Sequence, residues 1–195
     1  MTRAISLTHP IRVDVVPMEG VTGRLGLTFA PGKRSASVFS GITWDRDLDT
    51  DLVALRAEFG TDVLVSLIED HEFDLLGIPD LVERAQAHGM RVRRFPIRDV
   101  SVPSAAASRD YAALIDALHA EVVGSRNVTV HCRGGLGRTG LVAACVLVRQ
   151  GASADDAIRR VRTSRPGAIE TVAQERYVYE YASTVQSASA LIDPG

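Results

Sequence analysis

The sequence predicts an α/β fold: a central mixed, mostly parallel sheet of about five strands with helices on both faces. Two observations predict it. Short apolar segments alternate along the chain with longer segments of helical periodicity, the pattern of a sheet covered by helices. One helical segment, Leu141 to Val148, has almost no polar position and so belongs at the buried centre. At 195 residues, 46% hydrophobic and 24% charged, the chain is long enough to bury a real core and is expected to form one domain, 1–195. Residues 1–10 and 189–195 are expected as flexible termini.

The first half reads as follows. Ile11 to Val16 is apolar with alternation and predicts a strand; Arg24 to Phe29 predicts a second, ended by Pro31-Gly32. Asp49-Thr50-Asp51 offers caps for a helix through Phe59, closed by Gly60. Val63 to Ile68 reads as a buried strand. Glu69 to Asp74 reads as an exposed acidic loop around His71. Pro79-Asp80 opens a helix that ends at Gly89, and Arg91 to Phe95 is a further strand before a loop with Pro96 and Pro103.

The second half is more sharply marked. Ser108 to Val123 has helical periodicity, with Tyr111, Leu114, Ile115 and Leu118 on one face. Asn127 to His131 is a short strand, followed by a glycine-rich loop and the apolar helix. Ser153-Ala154-Asp155-Asp156 caps a helix to about Thr163, and after Pro166-Gly167 a last helix runs from about Glu170 to Ala188.

Composition excludes several chemistries. Cys132 and Cys145 are the only cysteines, too few for a disulfide framework or a four-thiolate zinc site, and they suit a reducing compartment. Lys33 is the only lysine against 21 arginines. It is followed by Arg34, not Ser or Thr, so no lysine-dependent phosphate loop is present. Residues 1–20 lack a secretory pattern, the apolar run 141–148 is too short to cross a bilayer, and the net charge of −2 gives no nucleic-acid signal. The expectation is a soluble cytoplasmic protein with no nucleic-acid or membrane partner, and a monomer is favoured.

The informative segment is His131-Cys132-Arg133-Gly134-Gly135-Leu136-Gly137-Arg138-Thr139-Gly140, between a strand and the buried helix. Its glycines let backbone N–H groups turn toward one point, and the helix N-terminus adds its dipole there, which suits an oxyanion. Gly135-Leu136-Gly137-Arg138-Thr139-Gly140 also fits the dinucleotide fingerprint G-x-G-x-x-G. That reading needs an acidic residue after a second strand about 20 positions on; Asp155 and Asp156 sit at a helix cap with no strand between. The better reading uses Cys132 and Arg138, which bracket five residues. A cysteine beside a helix N-terminus and an arginine favours its nucleophilic thiolate. Arg138 can bind two phosphate oxygens at once and cannot lose its charge. Arg133, Gly134, Gly135, Leu136, Gly137 and Thr139 would line the phosphate, Thr139 would donate to the sulfur, and His131 would hydrogen-bond the loop backbone. Cys145, inside the apolar helix, reads as core.

His131-Cys132-x5-Arg138-Thr139-Gly140 resembles the active-site signature of cysteine-dependent protein tyrosine phosphatases. The wider context is similar to the dual-specificity branch, nearest to the kinase-associated phosphatase (cyclin-dependent kinase inhibitor 3) group. The supporting segments are Phe95-Pro96-Ile97-Arg98-Asp99 and Arg165-Pro166-Gly167-Ala168-Ile169-Glu170-Thr171-Val172-Ala173-Gln174. The resemblance implies hydrolysis of phosphate monoesters through a phosphocysteine on Cys132, with no metal or organic cofactor. It implies Asp99, 33 residues before Cys132, as general acid, with Asp110 in reserve, and Gln174 as a glutamine that orients the attacking water. The implied substrate is a phosphorylated protein, carrying phosphotyrosine and also phosphoserine or phosphothreonine. The alternatives are a phosphate-recognising module with little turnover, and action on a non-protein phosphate such as a phosphoinositide. Arg159, Arg160, Arg162 and Arg165 form a basic cluster that serves either an acidic substrate or a solvated helix face.

Overall fold

The computed structural model describes residues 2–36 and 42–192. Its elements are β1 (Thr2–Ala4), β2 (Asp14–Val16), β3 (Leu25–Phe29), β4 (Arg34–Ala36), β5 (Ile42–Asp45), α1 (Leu48–Ala57), β6 (Val63–Ser66), α2 (Asp70–Leu75), α3 (Leu81–Ala87), β7 (Arg91–Arg94), α4 (Ser108–Val123), β8 (Val128–Cys132), α5 (Gly137–Arg149), α6 (Ala154–Ser164) and α7 (Val172–Ile192).

The main sheet has the order β2-β3-β8-β6-β7; only β2 runs antiparallel to its neighbour. This is the mostly parallel five-stranded sheet with flanking helices that the alternation predicts. β8 sits in the middle, buried along its whole length, and its register sets Phe29 beside Cys132 and Ser66 beside His131. The C-terminal ends of three parallel strands therefore meet at Cys132. In such sheets that edge is where ligands bind.

Helix α5 packs on β3 and β8 and is enclosed by α4, α6 and α7. Residues 137–148 of it are all buried; the apolar run 141–148 requires this, and Arg138 and Thr139 are buried with it at the site. Helices α1 and α3 pack on each other, and their Leu52, Leu55, Leu81 and Ala85 join the same core as the sheet.

Several elements differ from the expectation. Helix α5 starts at Gly137, four residues before the apolar run, because the loop's last residues already adopt helical geometry. A second sheet, β1-β5-β4, is illegible in a sequence where its strands are only three or four residues long. Residues 2–4, read as part of a flexible terminus, pair in parallel with β5; residues 1 and 193–195 of the two expected flexible ends lie outside the described residues. The acidic segment around His71 is not a loop but the short helix α2.

Asp51 is no helix cap. Asp47 caps α1 by accepting from the Thr50 N–H at 2.8 Å, which frees Asp51 to face inward. There it takes the fully buried Arg46 in a two-pronged pair, both contacts at 2.7 Å, and accepts from the Gly32 N–H at 2.8 Å. Arg46 also donates to the His9 carbonyl at 2.6 Å. This cluster joins α1, the N-terminal segment and the turn after β3. Breaking a buried pair by removing one partner typically costs about 3–5 kcal/mol. Asp51→Ala should lower unfolding free energy by about that much in urea titration. Asp116→Ala, which breaks the exposed pair with Arg149, should cost less than about 1 kcal/mol.

Candidate active site

The site grows from the junction of β8 and α5. Gly135 has φ +73°, and a Cβ there would collide with the Thr28 carbonyl, so the loop passes β3 only as glycine. The loop then folds back so that the Gly135 N–H points at the Cys132 sulfur, 3.2 Å away. Arg165 holds the outer side. Its Nε donates to the Gly135 carbonyl and its Nη2 to the Gly134 carbonyl at 3.4 Å, while Nη1 pairs with Asp14 on β2. Because peptide groups are planar, carbonyls drawn outward turn the following N–H groups inward. The Gly135 N–H at the sulfur is the visible result. Cys132 itself is 3% exposed.

Arg138 lies on the first turn of α5 and is 1% exposed. Glu72, delivered by α2, takes Nη1 at 2.6 Å and Nη2 at 3.0 Å. Nη1 also donates to the Ile97 carbonyl at 3.0 Å, and Asp99 Oδ1 stands 2.9 Å from Nη2. Arg138 Nε, in contrast, has no partner among the described residues. Burial alone would lower the guanidinium's pKa, but the hydrogen-bonded Glu72, with the charges of Cys132 and Asp99, raises it. Burial likewise opposes the Glu72 charge, yet the hydrogen bonds from Arg138 and the Glu69 N–H outweigh it and hold the carboxyl below its usual range.

Asp99 is half-exposed, at the rim, on a loop that continues the β6–β7 pairing through Phe95 and Ile97. Gln174 is fully buried. Its Nε2 donates to the Ser101 carbonyl at 3.1 Å and its Oε1 accepts from the Thr171 N–H at 3.3 Å, so its contacts tether the Asp99 loop to the start of α7. Asp110 faces solvent in the first turn of α4.

One expected contact is absent: Thr139 Oγ1 donates to the Leu136 carbonyl at 3.4 Å, not to the sulfur. His131 is fully buried at the end of β8, and the main chain of Cys132 is the loop group that bears on its imidazole. Burial pushes its imidazole down to about 4, so it is a neutral core group. Cys145 is core as expected, its thiol pushed up to about 12 by burial. The basic cluster is internally satisfied: Arg159 and Arg160 pair with Asp156, Arg162 with Glu175, and Arg165 grips the loop.

The contacts of four residues at the site are not read from the sequence: Glu72, Lys33, Glu170, and Arg165, which the sequence places only in a basic cluster. Glu170 Oε2 accepts from the Gly137 N–H at 2.7 Å. The Lys33 ammonium lies 4.5 Å from the centroids of both Phe29 and Trp44, and Phe29 is the strand neighbour of Cys132. Burial and then Arg46 push Lys33 down to about 8, against the attraction of Cys132. Only Glu72 carried a local signal, its position three residues after Glu69, which suits a helix start.

A family model described as "Polymorphic toxin system, DSP-PTPase phosphatase" matches residues 42–152. Cyclin-dependent kinase inhibitor 3 of Rattus norvegicus is 30% identical over 179 residues, covering 88% of this chain and 79% of that protein. Protein tyrosine phosphatase type IVA 3 of Homo sapiens is 36% identical over 93 residues, 48% of this chain and 53% of that protein. Among solved structures, kinase associated phosphatase with its catalytic-site cysteine changed to serine superposes with TM-score 0.79 at 26% identity, over 91% of this chain and 97% of that one.

Two outcomes test the geometry. Glu72→Ala leaves Arg138 buried with little compensation, so it should destabilise by about 3–5 kcal/mol and also weaken orthophosphate binding in calorimetry. Retained stability would show that Arg138 needs no buried partner. As pH falls from 6.5 toward 4, the unfolded chain takes up a proton that the folded His131 refuses. Stability should therefore decline through that window, read as the urea midpoint, and less steeply in His131→Gln.

Proposed function

The chain belongs to the DSP-PTPase phosphatases, cysteine-dependent enzymes of the protein tyrosine and dual-specificity type, and from that premise we propose that it hydrolyses phosphoprotein monoesters through a phosphocysteine on Cys132. The observation that carries the reading is Arg138: a buried guanidinium whose Nε has no partner among the described residues, one helical turn from a loop folded over a cysteine sulfur. A phosphate seated on the loop would take that Nε and an Nη together, in the forked geometry arginine offers. The N–H groups from Arg133 to Thr139 would hold its remaining oxygens, with Leu136 shaping the rim.

In the first step the Cys132 sulfur attacks phosphorus; the P–S bond forms as the bond to the leaving oxygen breaks. Asp99 gives its proton to that oxygen. In the second step water attacks the phosphocysteine and passes a proton to the Asp99 carboxylate, the P–S bond breaks, and orthophosphate leaves. Splitting the reaction in this way replaces one difficult step by two easier ones. Asp99 is ion-paired with Arg138 in the free site. A phosphate dianion arriving on Arg138 would displace it, which frees the carboxyl for the leaving oxygen. Gln174 holds the Asp99 loop through Ser101 while its carboxamide packs against Gly137 of the phosphate loop, the place from which a glutamine would orient the attacking water.

The substrate reading is phosphotyrosine, with phosphoserine and phosphothreonine as further substrates. Its support is the name of the relative, an inhibitor of a cyclin-dependent kinase, and of the structural neighbour, a kinase associated phosphatase, together with a loop that contains no lysine. A cytoplasmic monomer goes with this reading, supported by two free cysteines. Among the described residues no helix is long and apolar enough to cross a membrane.

Wild-type protein should hydrolyse an aryl phosphate in the presence of chelator and be inhibited by vanadate. Cys132→Ser should abolish turnover. Asp99→Ala should slow phosphopeptide hydrolysis by about 10²- to 10⁴-fold, with the smaller effect on aryl phosphates whose leaving oxygen needs no proton. Activity that survives Cys132→Ser, or dies with chelator, would sink the mechanism. A panel of phosphopeptides and phosphoinositides ranks the substrate classes.

A further inference from the structure

Glu170 sits where an acid is unexpected. Its Oε2 accepts from the Gly137 N–H at 2.7 Å, and Gly137 is the first residue of α5, so this N–H is one of the helix's free N-terminal donors. The backbone is bent to bring the carboxylate there. Ile169 has φ +58°, a left-handed conformation that is rare for a β-branched residue. Three contacts hold it: its N–H donates to the Leu136 carbonyl at 3.3 Å, its carbonyl accepts from Arg162 Nη2 at 3.1 Å, and Gly140 leaves the space that its backbone N occupies. A side chain on Gly137 would collide with the same carboxylate oxygen. No ion pair among the described residues includes Glu170; what offsets its charge is the Gly137 N–H at the helix start, the donor that a bound phosphate would take.

We propose that Glu170 is a specificity-determining residue: a resident carboxylate that occupies the Gly137 donor in the free site and biases it toward esters carrying a single phosphate. The inference rests on the phosphatase reading of the loop. A phosphate bound on residues 133–138 must displace Glu170 from Gly137, and the displaced carboxylate stays at the rim. A substrate with one phosphate on a neutral side chain meets that repulsion once. A polyphosphorylated ligand, such as an inositol trisphosphate, meets it at every further phosphate held near the rim. The same repulsion speeds departure of orthophosphate.

The test compares wild type, Glu170→Gln and Glu170→Ala as competitive-inhibition constants for orthophosphate and for inositol 1,4,5-trisphosphate, against phosphotyrosine-peptide hydrolysis. Glutamine keeps an acceptor for the Gly137 N–H and removes the charge. Both variants should bind orthophosphate about tenfold tighter, the scale of one removed like charge near the rim, and inositol trisphosphate tighter by a larger factor. Calorimetric titration of the same anions into Cys132→Ser and Cys132→Ser/Glu170→Gln reads the effect without turnover. Equal constants for wild type and both variants overturn the proposal while the phosphatase reading stands. Tighter orthophosphate with no extra gain for the trisphosphate also overturns it, because the charge then sets affinity and not selection. Wild type that neither turns over phosphopeptide nor binds orthophosphate overturns the loop reading instead.

Discussion

The pair between Arg138 and Glu72 is the constraint on which the site depends. A guanidinium taken almost fully out of water carries a desolvation penalty of several kcal/mol. It is tolerated because a carboxylate grips both of its Nη atoms and a main-chain carbonyl, that of Ile97, accepts from Nη1. Those partners come from different places. Glu72 is on α2, after β6; Ile97 follows β7; Arg138 begins α5, after β8. One side chain thus ties together the loops that leave three adjacent parallel strands. It also leaves Nε as the one guanidinium nitrogen without a partner among the described residues. Catalytic geometry and fold stability meet in a single residue, so neither can vary freely without the other.

The sulfur is positioned by a different balance. β8 is buried on all sides and cannot shift, because its neighbours β3 and β6 register it at Phe29 and Ser66. α5 is held as firmly by the helices around it. The four residues between these rigid elements have only one easy path, which needs glycine at 135, and Arg165 anchors their carbonyls to β2 through Asp14. The loop is therefore preorganised by elements remote in sequence, the condition under which backbone donors are most useful to a developing negative charge.

This division explains what the sequence could and could not disclose. Cys132, Gly135, Gly137 and Arg138 are legible because the loop is local: spacing alone places a thiol, turn-forming glycines and a cation at one helix start. The central strand and its buried helix are legible because their apolar runs are continuous. Glu72 is not, since its partner lies 66 residues away and its helix is only six residues long. Arg165 looks like one member of a basic cluster until its contacts separate it from Arg159 and Arg160. His131 is legible as part of the motif, but its charge state is not: burial among the strands leaves the imidazole neutral. Thr139, in the first turn of α5, turns to the carbonyl of Leu136, three residues before it.

Two carboxylates complete the electrostatics of the free site. Asp99 engages the Arg138 guanidinium and Glu170 engages the Gly137 N–H, two consecutive residues at the start of α5. Both hold donors that an arriving phosphate would claim, so the site's positive field is masked internally before substrate binds. The mask is asymmetric. Asp99 rides on a loop tethered by Gln174 and, in the mechanism proposed above, serves the leaving oxygen once displaced. Glu170 is anchored by a strained turn and has no proton to deliver at the Gly137 N–H; displaced, it only repels. An enzyme built this way surrenders some affinity for phosphate in general, and in exchange binds least well the anions that carry the most charge.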